Sequence, residues 1–171
     1  MIGDHKRIDT WIEARGISHD GELTYLQEGQ YIVLARYLIQ RGHETDALAL
    51  LDRLMDFART GGRMAIVIEL LILKSLLHDK AGHFTEARDT LTEAIVIAEP
   101  GRFFRIFVVE GKAIYSILKS IADSPIRDDM DISQDLFIQY VNKLLLAFEI
   151  DRVSTPQNAL MKQITAREKE I

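Results

Sequence analysis

The chain has 171 residues, of which 47% are apolar and 27% charged, and its formal net charge is −5. That length and apolar content suit one domain with a packed core plus a short extension, and the acidic balance repels phosphate, which argues against direct nucleic-acid binding by this stretch. Cysteine is absent, which excludes disulfides, thiolate nucleophiles and cysteine-ligated zinc and fits a reducing cytoplasm.

Taken in chain order, apolar residues recur at helical spacing and no long run alternates with period two, so the expected fold class is all-α. A first helix is expected over about His5 to Arg15, with Ile8, Trp11 and Ile12 on one stripe and Gly16 as its stop. Asp4, Asp9 and Glu13 interrupt this start, so it does not read as a secretory leader. A loop with His19, Asp20 and Gly21 follows. The second helix is expected from Gln30 to Arg41, packing through Val33, Leu34, Tyr37 and Leu38, and the third from Glu44 to Thr60, packing through Ala47, Leu50, Leu51, Leu54, Met55 and Ala58. The fourth, Arg63 to Lys80, holds the most apolar stretch. Glu69 and Lys74 interrupt it, it is too short to span a bilayer, and it reads as a helix buried on most sides.

The fifth helix is expected from Thr85 to Ala98, with Ala87, Leu91, Ala94, Ile95 and Ala98 inward and Pro100 and Gly101 as its break. A short helix over Arg102 to Val109 and another from Gly111 to Ala122 come next. Ser124 to Asp131 reads as a polar loop. Ser133 has the character of an N-cap for a last long helix ending near Phe148. Asp151 to Asn158, with Ser154, Thr155 and Pro156, reads as a polar linker. Tyr25, Tyr31 and Tyr37 are expected to pack with wet hydroxyls.

An internal repeat is the strongest structural signal. Arg41-Gly42-His43-Glu44-Thr45-Asp46-Ala47 matches Ala81-Gly82-His83-Phe84-Thr85-Glu86-Ala87 at an offset of 40 residues, and at the same offset Leu51 matches Leu91 and Gly61 matches Gly101. One helix pair cannot cover its own apolar face, so neighbouring pairs stack. Gly82, Phe84, Ala87, Ala94 and Pro100 resemble the second half of a tetratricopeptide motif, in a unit longer than the usual ~34 residues. The expectation is a tetratricopeptide-like right-handed superhelix of stacked antiparallel helix pairs.

The last eight residues, Ile164-Thr165-Ala166-Arg167-Glu168-Lys169-Glu170-Ile171, resemble the opening of a LuxR-type helix-turn-helix domain. In that resemblance Thr165 caps the first helix and Glu168 completes a capping box. Upstream, Leu34-Ala35-Arg36, the Gly42 turn, Asp46 to Leu51, Ile68 to Leu73, Arg105-Ile106-Phe107 with Glu110-Gly111, and Tyr140 to Phe148 are similar to the superhelical region of MalT-like transcription activators. The resemblance implies a helical array over residues 1–149, a linker over 150–163, and the truncated start of the DNA reader over 164–171. It also implies an effector-sensing and protein-interaction role, with a small-molecule inducer or regulatory protein as partner and self-association possible. ATP would belong only to an N-terminal module that this chain does not contain, because no Gly-x-x-x-x-Gly-Lys-Ser/Thr loop is present. DNA would be bound only through the missing reader. A stand-alone adaptor that binds a partner protein is the alternative.

No residue constellation points to catalysis: no Gly-x-Ser-x-Gly motif exists, and Asp128, Asp129 and Asp131 read as a solvated loop. His78, Asp79 and His83 are close in sequence, but His83 repeats His43 at a turn, so a structural role is expected and no metal. Glu69 is the most informative polar residue, because Ala65, Ile66, Ile72 and Leu73 surround it on the helix. A carboxylate there needs a partner. Arg36 fits, either as a structural ion pair or with both residues facing a ligand groove. Arg102, Arg105, Phe107 and Glu110 form a second candidate patch, which suits a small anion, sugar or peptide. Its structural alternative is two solvated arginines around a core Phe107.

Overall fold

The computed structural model describes residues 2–123 and 133–154, and every regular element among them is helical. The elements are α1 (Ile2–Arg15), a 3-10 turn (Tyr25–Gln27), α2 (Glu28–Arg41), α3 (Glu44–Thr60), α4 (Met64–Lys80), α5 (Phe84–Ala98), α6 (Arg105–Val108), α7 (Lys112–Ala122) and α8 (Gln134–Ser154). The chain divides into two compact units, Met1–Ala94 and Ile95–Ile171. The Ser124 to Asp131 loop, Thr165 and Glu168 lie outside the described residues.

The repeat is written in the backbone. Gly42, Gly62 and Gly82 adopt φ of +77°, +66° and +82°, a conformation that costs a side-chain-bearing residue energy and glycine almost nothing. In each turn the next residue's amide reaches back across the helix end: His43 N–H donates to Leu38 O at 3.0 Å, Arg63 N–H to Ala58 O at 2.9 Å, and His83 N–H to His78 O at 2.9 Å. The glycine amides donate to Ile39, Arg59 and Asp79. This paired closure satisfies carbonyls that a helix end would otherwise leave bare. The turn therefore recurs every 20 residues, and the offset of 40 seen in the sequence spans two of them.

At the next recurrence the glycine is missing. Arg102 stands there at φ +52°, with its amide on Glu99 O at 3.1 Å and Phe103 N–H on Ala98 O at 3.3 Å. The hydrogen bonds are kept while the residue is unsuited to them. Arg102→Gly should stabilise the protein by about 0.5–1 kcal/mol, the left-handed penalty less the entropy glycine loses on folding. Urea denaturation reads this directly. Unchanged or lower stability would mean that the arginine side chain contributes more than its strain.

In the first unit, α2 packs on α3 and α3 on α4 through these short turns, so consecutive helices run antiparallel. The six residues expected on the inner stripe of α3 are all buried, as are Ala87, Leu91, Ala94, Ile95 and Ala98 of α5. Alanines 35, 47, 58, 87, 94 and 98 are at most 1% exposed, and their small side chains allow close helix approach. Helix α4 is buried on most sides, from Val67 to Leu77. The Ser75 hydroxyl, fully buried, donates to Ala87 O at 2.7 Å and so joins α4 to α5.

Three expectations need correction. Val33 is exposed, because the buried face of α2 is centred on Tyr31, Ala35 and Leu34, and a residue two positions from Tyr31 and Ala35 points nearly the opposite way. Tyr25 is 69% exposed, since it sits in the 3-10 turn ahead of α2 and not on a packing face. Tyr31 and Tyr37 are buried as expected. The Tyr31 hydroxyl donates to Glu22 O and the Tyr37 hydroxyl to the Asp9 carboxylate, which raises the Tyr37 pKa above the usual phenol value. The third concerns α8, which continues past Phe148 to Ser154, because nothing between Glu149 and Val153 breaks a helix before the residue preceding Pro156.

In the second unit, α7 and α6 pack against α8. Ser133 caps α8, its hydroxyl accepting from Leu136 N–H at 3.3 Å. The core contains Phe107, Ile114, Leu118, Phe137, Tyr140, Leu144 and Phe148.

Candidate functional site

Helices α2 and α4 lie side by side in parallel, tied at three heights. At their starts, Arg63 Nε donates to both Glu28 oxygens at 3.1 Å and Nη2 donates to Oε1 at 2.7 Å. At mid-height, Arg36 Nη2 donates to Glu69 Oε1 at 2.8 Å. At their ends, Lys80 Nζ donates to Ile39 O at 2.6 Å and Gln40 O at 3.2 Å, placing a positive charge on the last carbonyls of α2. A similar but sparser pattern joins α3 to α5 and to the turn before it, through Arg59–Glu93 at 2.6 Å and Glu44–His83 at 4.0 Å.

The three α2–α4 ties differ in environment. The Glu28 carboxylate is only 8% exposed, and the Arg63 guanidinium also donates to Phe57 O at 2.9 Å and lies over the Phe57 and Tyr25 rings. This pair is structural. The Arg36–Glu69 pair is more open, with side chains 34% and 26% exposed. It stands at a surface that both helices share, beside the exposed Val33. The partner assigned to Glu69 from its helical neighbours is thus the partner it has.

The second candidate patch comes apart. Phe107 is fully buried and belongs to the core, so it presents no surface to a ligand. Arg102 holds the strained turn. Arg105, on α6, is exposed and its guanidinium makes no hydrogen bond or ion pair among the described residues, while Glu110 is half-buried beyond the helix. Arg105 lines a cleft of about 480 Å³ between α6 and the last turns of α8. From α6 and the residues beside it come Phe104, Val108 and Val109, and from α8 come Ala147, Ile150 and Asp151. The Phe104 and Tyr140 rings meet at a tilt of 33°, with centroids 4.8 Å apart. The Tyr140 hydroxyl is buried without a hydrogen-bond partner among the described residues, and burial raises its pKa.

The sequence missed two features. The Glu28–Arg63 pair spans 35 residues, and Glu28 lay ahead of the helix expected to start at Gln30, whereas α2 starts at Glu28. One signal was available: Arg63 follows a glycine where His43 and His83 stand in the neighbouring turns. The cleft is formed by a short helix, which the sequence placed over Arg102 to Val109 and which spans Arg105–Val108, and by the α8 extension, which has no clear sequence mark.

The two histidines at the α4–α5 turn have ring centroids 6.2 Å apart. Burial, followed by the Lys74 ammonium, lowers the His78 pKa below the usual histidine value, with Glu86 opposing. Among the described residues no group of three or more His, Asp or Glu is placed to hold a metal ion, and no helix is long and apolar enough to cross a membrane.

An array of helix pairs whose charged groups fasten neighbouring helices defines a tetratricopeptide-like scaffold, a class that works by binding. The chain belongs to the family described as the MalT-like TPR region, whose model matches residues 1–124. It is 29% identical over 121 residues to the HTH-type transcriptional regulator MalT of Klebsiella pneumoniae (strain 342), a match covering 71% of this chain. The match covers 13% of that regulator's length. No solved structure matches.

Proposed function

We propose that this chain is the effector-sensing and protein-interaction region of a LuxR-type, MalT-like transcription activator, acting in the cytoplasm without catalysis of its own. The observation that carries this reading is the half-open Arg36–Glu69 pair on the face shared by α2 and α4. A charged pair held at a helix–helix surface can exchange one partner for a ligand group without unfolding either helix. In this reading residues 1–149 form the sensor array, 150–163 connect it onward, and 164–171 open the DNA reader, with Thr165 and Glu168 as its cap. The start of that connection is helical, since α8 carries it as far as Ser154. ATP would act in an N-terminal module of the full-length regulator, and DNA would be met by its C-terminal reader.

The test is Glu69→Ala in the full-length regulator with a promoter reporter. A surface pair contributes little to stability, so Tm should stay within about 2 °C. The inducer response should fall roughly tenfold, the scale of ordinary coupling between sites. A variant that unfolds, or one that keeps its full response, would remove Glu69 from the sensing surface.

A second reading, an adaptor for a partner protein, has one observation in its favour: Leu26 is 90% exposed beside the exposed Tyr25, and adjacent apolar side chains in solvent suit a protein surface. A gene that continues into a complete helix-turn-helix domain favours the activator, and one that does not favours the adaptor.

A further inference from the structure

The sensing role proposed above leaves open what is sensed, and the cleft in the second unit supplies a chemical answer that rests on that role. Its volume of about 480 Å³ lies within the roughly 300–1,000 Å³ of small-molecule sites. Its walls are mainly apolar, from Phe104, Val108 and Val109 on one side and Ala147 and Ile150 on the other. Val109 and Ile150 are 69% and 59% exposed, a costly state for aliphatic side chains that an apolar guest would relieve.

Two charges stand among these walls. The Arg105 side chain is exposed and its guanidinium makes no hydrogen bond or ion pair among the described residues, so it is open to an anion, which it can hold with two parallel N–H donors. Asp151 contributes one negative charge to the same cleft. That charge disfavours a second anionic group on the guest.

We propose that this cleft binds a small amphipathic monocarboxylate, its carboxylate on Arg105 and its apolar chain between α6 and the end of α8. Such a guest would contact both Arg105 on α6 and the last two turns of α8, which lead directly into the residues beyond Ser154. Binding would therefore restrain the helix through which a signal leaves the array.

The experiment uses the full 171-residue chain, with methyl and amide NMR titrations of sodium octanoate, 1-octanol, octylamine and disodium suberate. Octanoate should saturably shift the Val108, Val109, Ala147 and Ile150 signals. The alcohol, the amine and the dicarboxylate should each bind at least about tenfold more weakly, the scale of a charge-assisted contact. Arg105→Gln should weaken octanoate about tenfold while leaving Tm and octanol binding unchanged. Absence of octanoate shifts at millimolar concentration would overturn the proposal. So would equal binding of octanoate and octanol, tight suberate binding, or an Arg105→Gln chain that binds octanoate normally. These results do not bear on the Glu69 reporter assay: loss of response there with no octanoate binding here would keep the sensor and discard this ligand.

Discussion

Arg63→Ala should destabilise the protein by about 3 kcal/mol, because it leaves the Glu28 carboxylate buried without its cation. Three contributions fall together: the bidentate bond to Glu28, the bond to Phe57 O, and the packing over the Phe57 and Tyr25 rings. The charge on Glu28 dominates, since a carboxylate 8% exposed cannot recover its hydration without opening the start of α2. Arg63→Lys should recover only part of the loss, because an ammonium cannot present two donors to the carboxylate while also bonding Phe57 O. Glu28→Leu combined with Arg63→Met should come close to wild type, as buried pairs often can be replaced by apolar residues of similar size. Urea denaturation of the four chains settles the matter. A loss below about 0.5 kcal/mol for Arg63→Ala would show that the carboxylate is hydrated despite its burial.

The route by which Arg63 reaches Glu28 also explains a glycine. A Cβ added at Gly61 would run into the Arg63 guanidinium, and one added at Gly101 into the Phe103 ring. Gly61 and Gly101 therefore share more than their sequence offset. Each leaves room for the side chain two places on to fold back over the turn. In one unit that side chain is the arginine of a buried pair, and in the other it is an aromatic ring.

These residues show what a single sequence could and could not reveal. Turns were legible because a left-handed backbone selects glycine, so Gly42 and Gly82 mark helix ends without any tertiary information. The inner stripes of α3 and α5 were legible because both helices bury one clear face. Helix α2 was harder. It buries Tyr31, Ile32, Leu34, Ala35, Tyr37 and Ile39, so the apolar residues wrap most of its circumference and the exposed Val33 cannot be told from them by type. The Arg36–Glu69 pair was accessible because one carboxylate interrupted an apolar stripe and demanded a cation. Arg105 was singled out, but its setting was not, since the cleft depends on how α6 meets α8 and on a helix end that continues for six residues past Phe148.

Phe107→Ala should cost about 3–5 kcal/mol, the range for removing a fully buried aromatic ring. The size of the effect follows from the brevity of α6. Four residues cannot hold a helix by their own hydrogen bonds, and Phe107 is the one residue of α6 that is buried. Without the ring, α6 loses its anchor to the core it shares with α7 and α8. Phe107→Leu, which keeps most of the volume, should cost only about 1–2 kcal/mol. The comparison with Arg105→Gln then separates two roles that positions two apart on the same short helix could easily confuse. Phe107→Ala should lower Tm and abolish octanoate binding together, because the cleft wall goes with the helix, whereas Arg105→Gln should reduce binding at unchanged Tm. A Phe107→Ala chain of wild-type stability would mean that α6 is held by something other than its buried ring, and the cleft's architecture would need a different explanation.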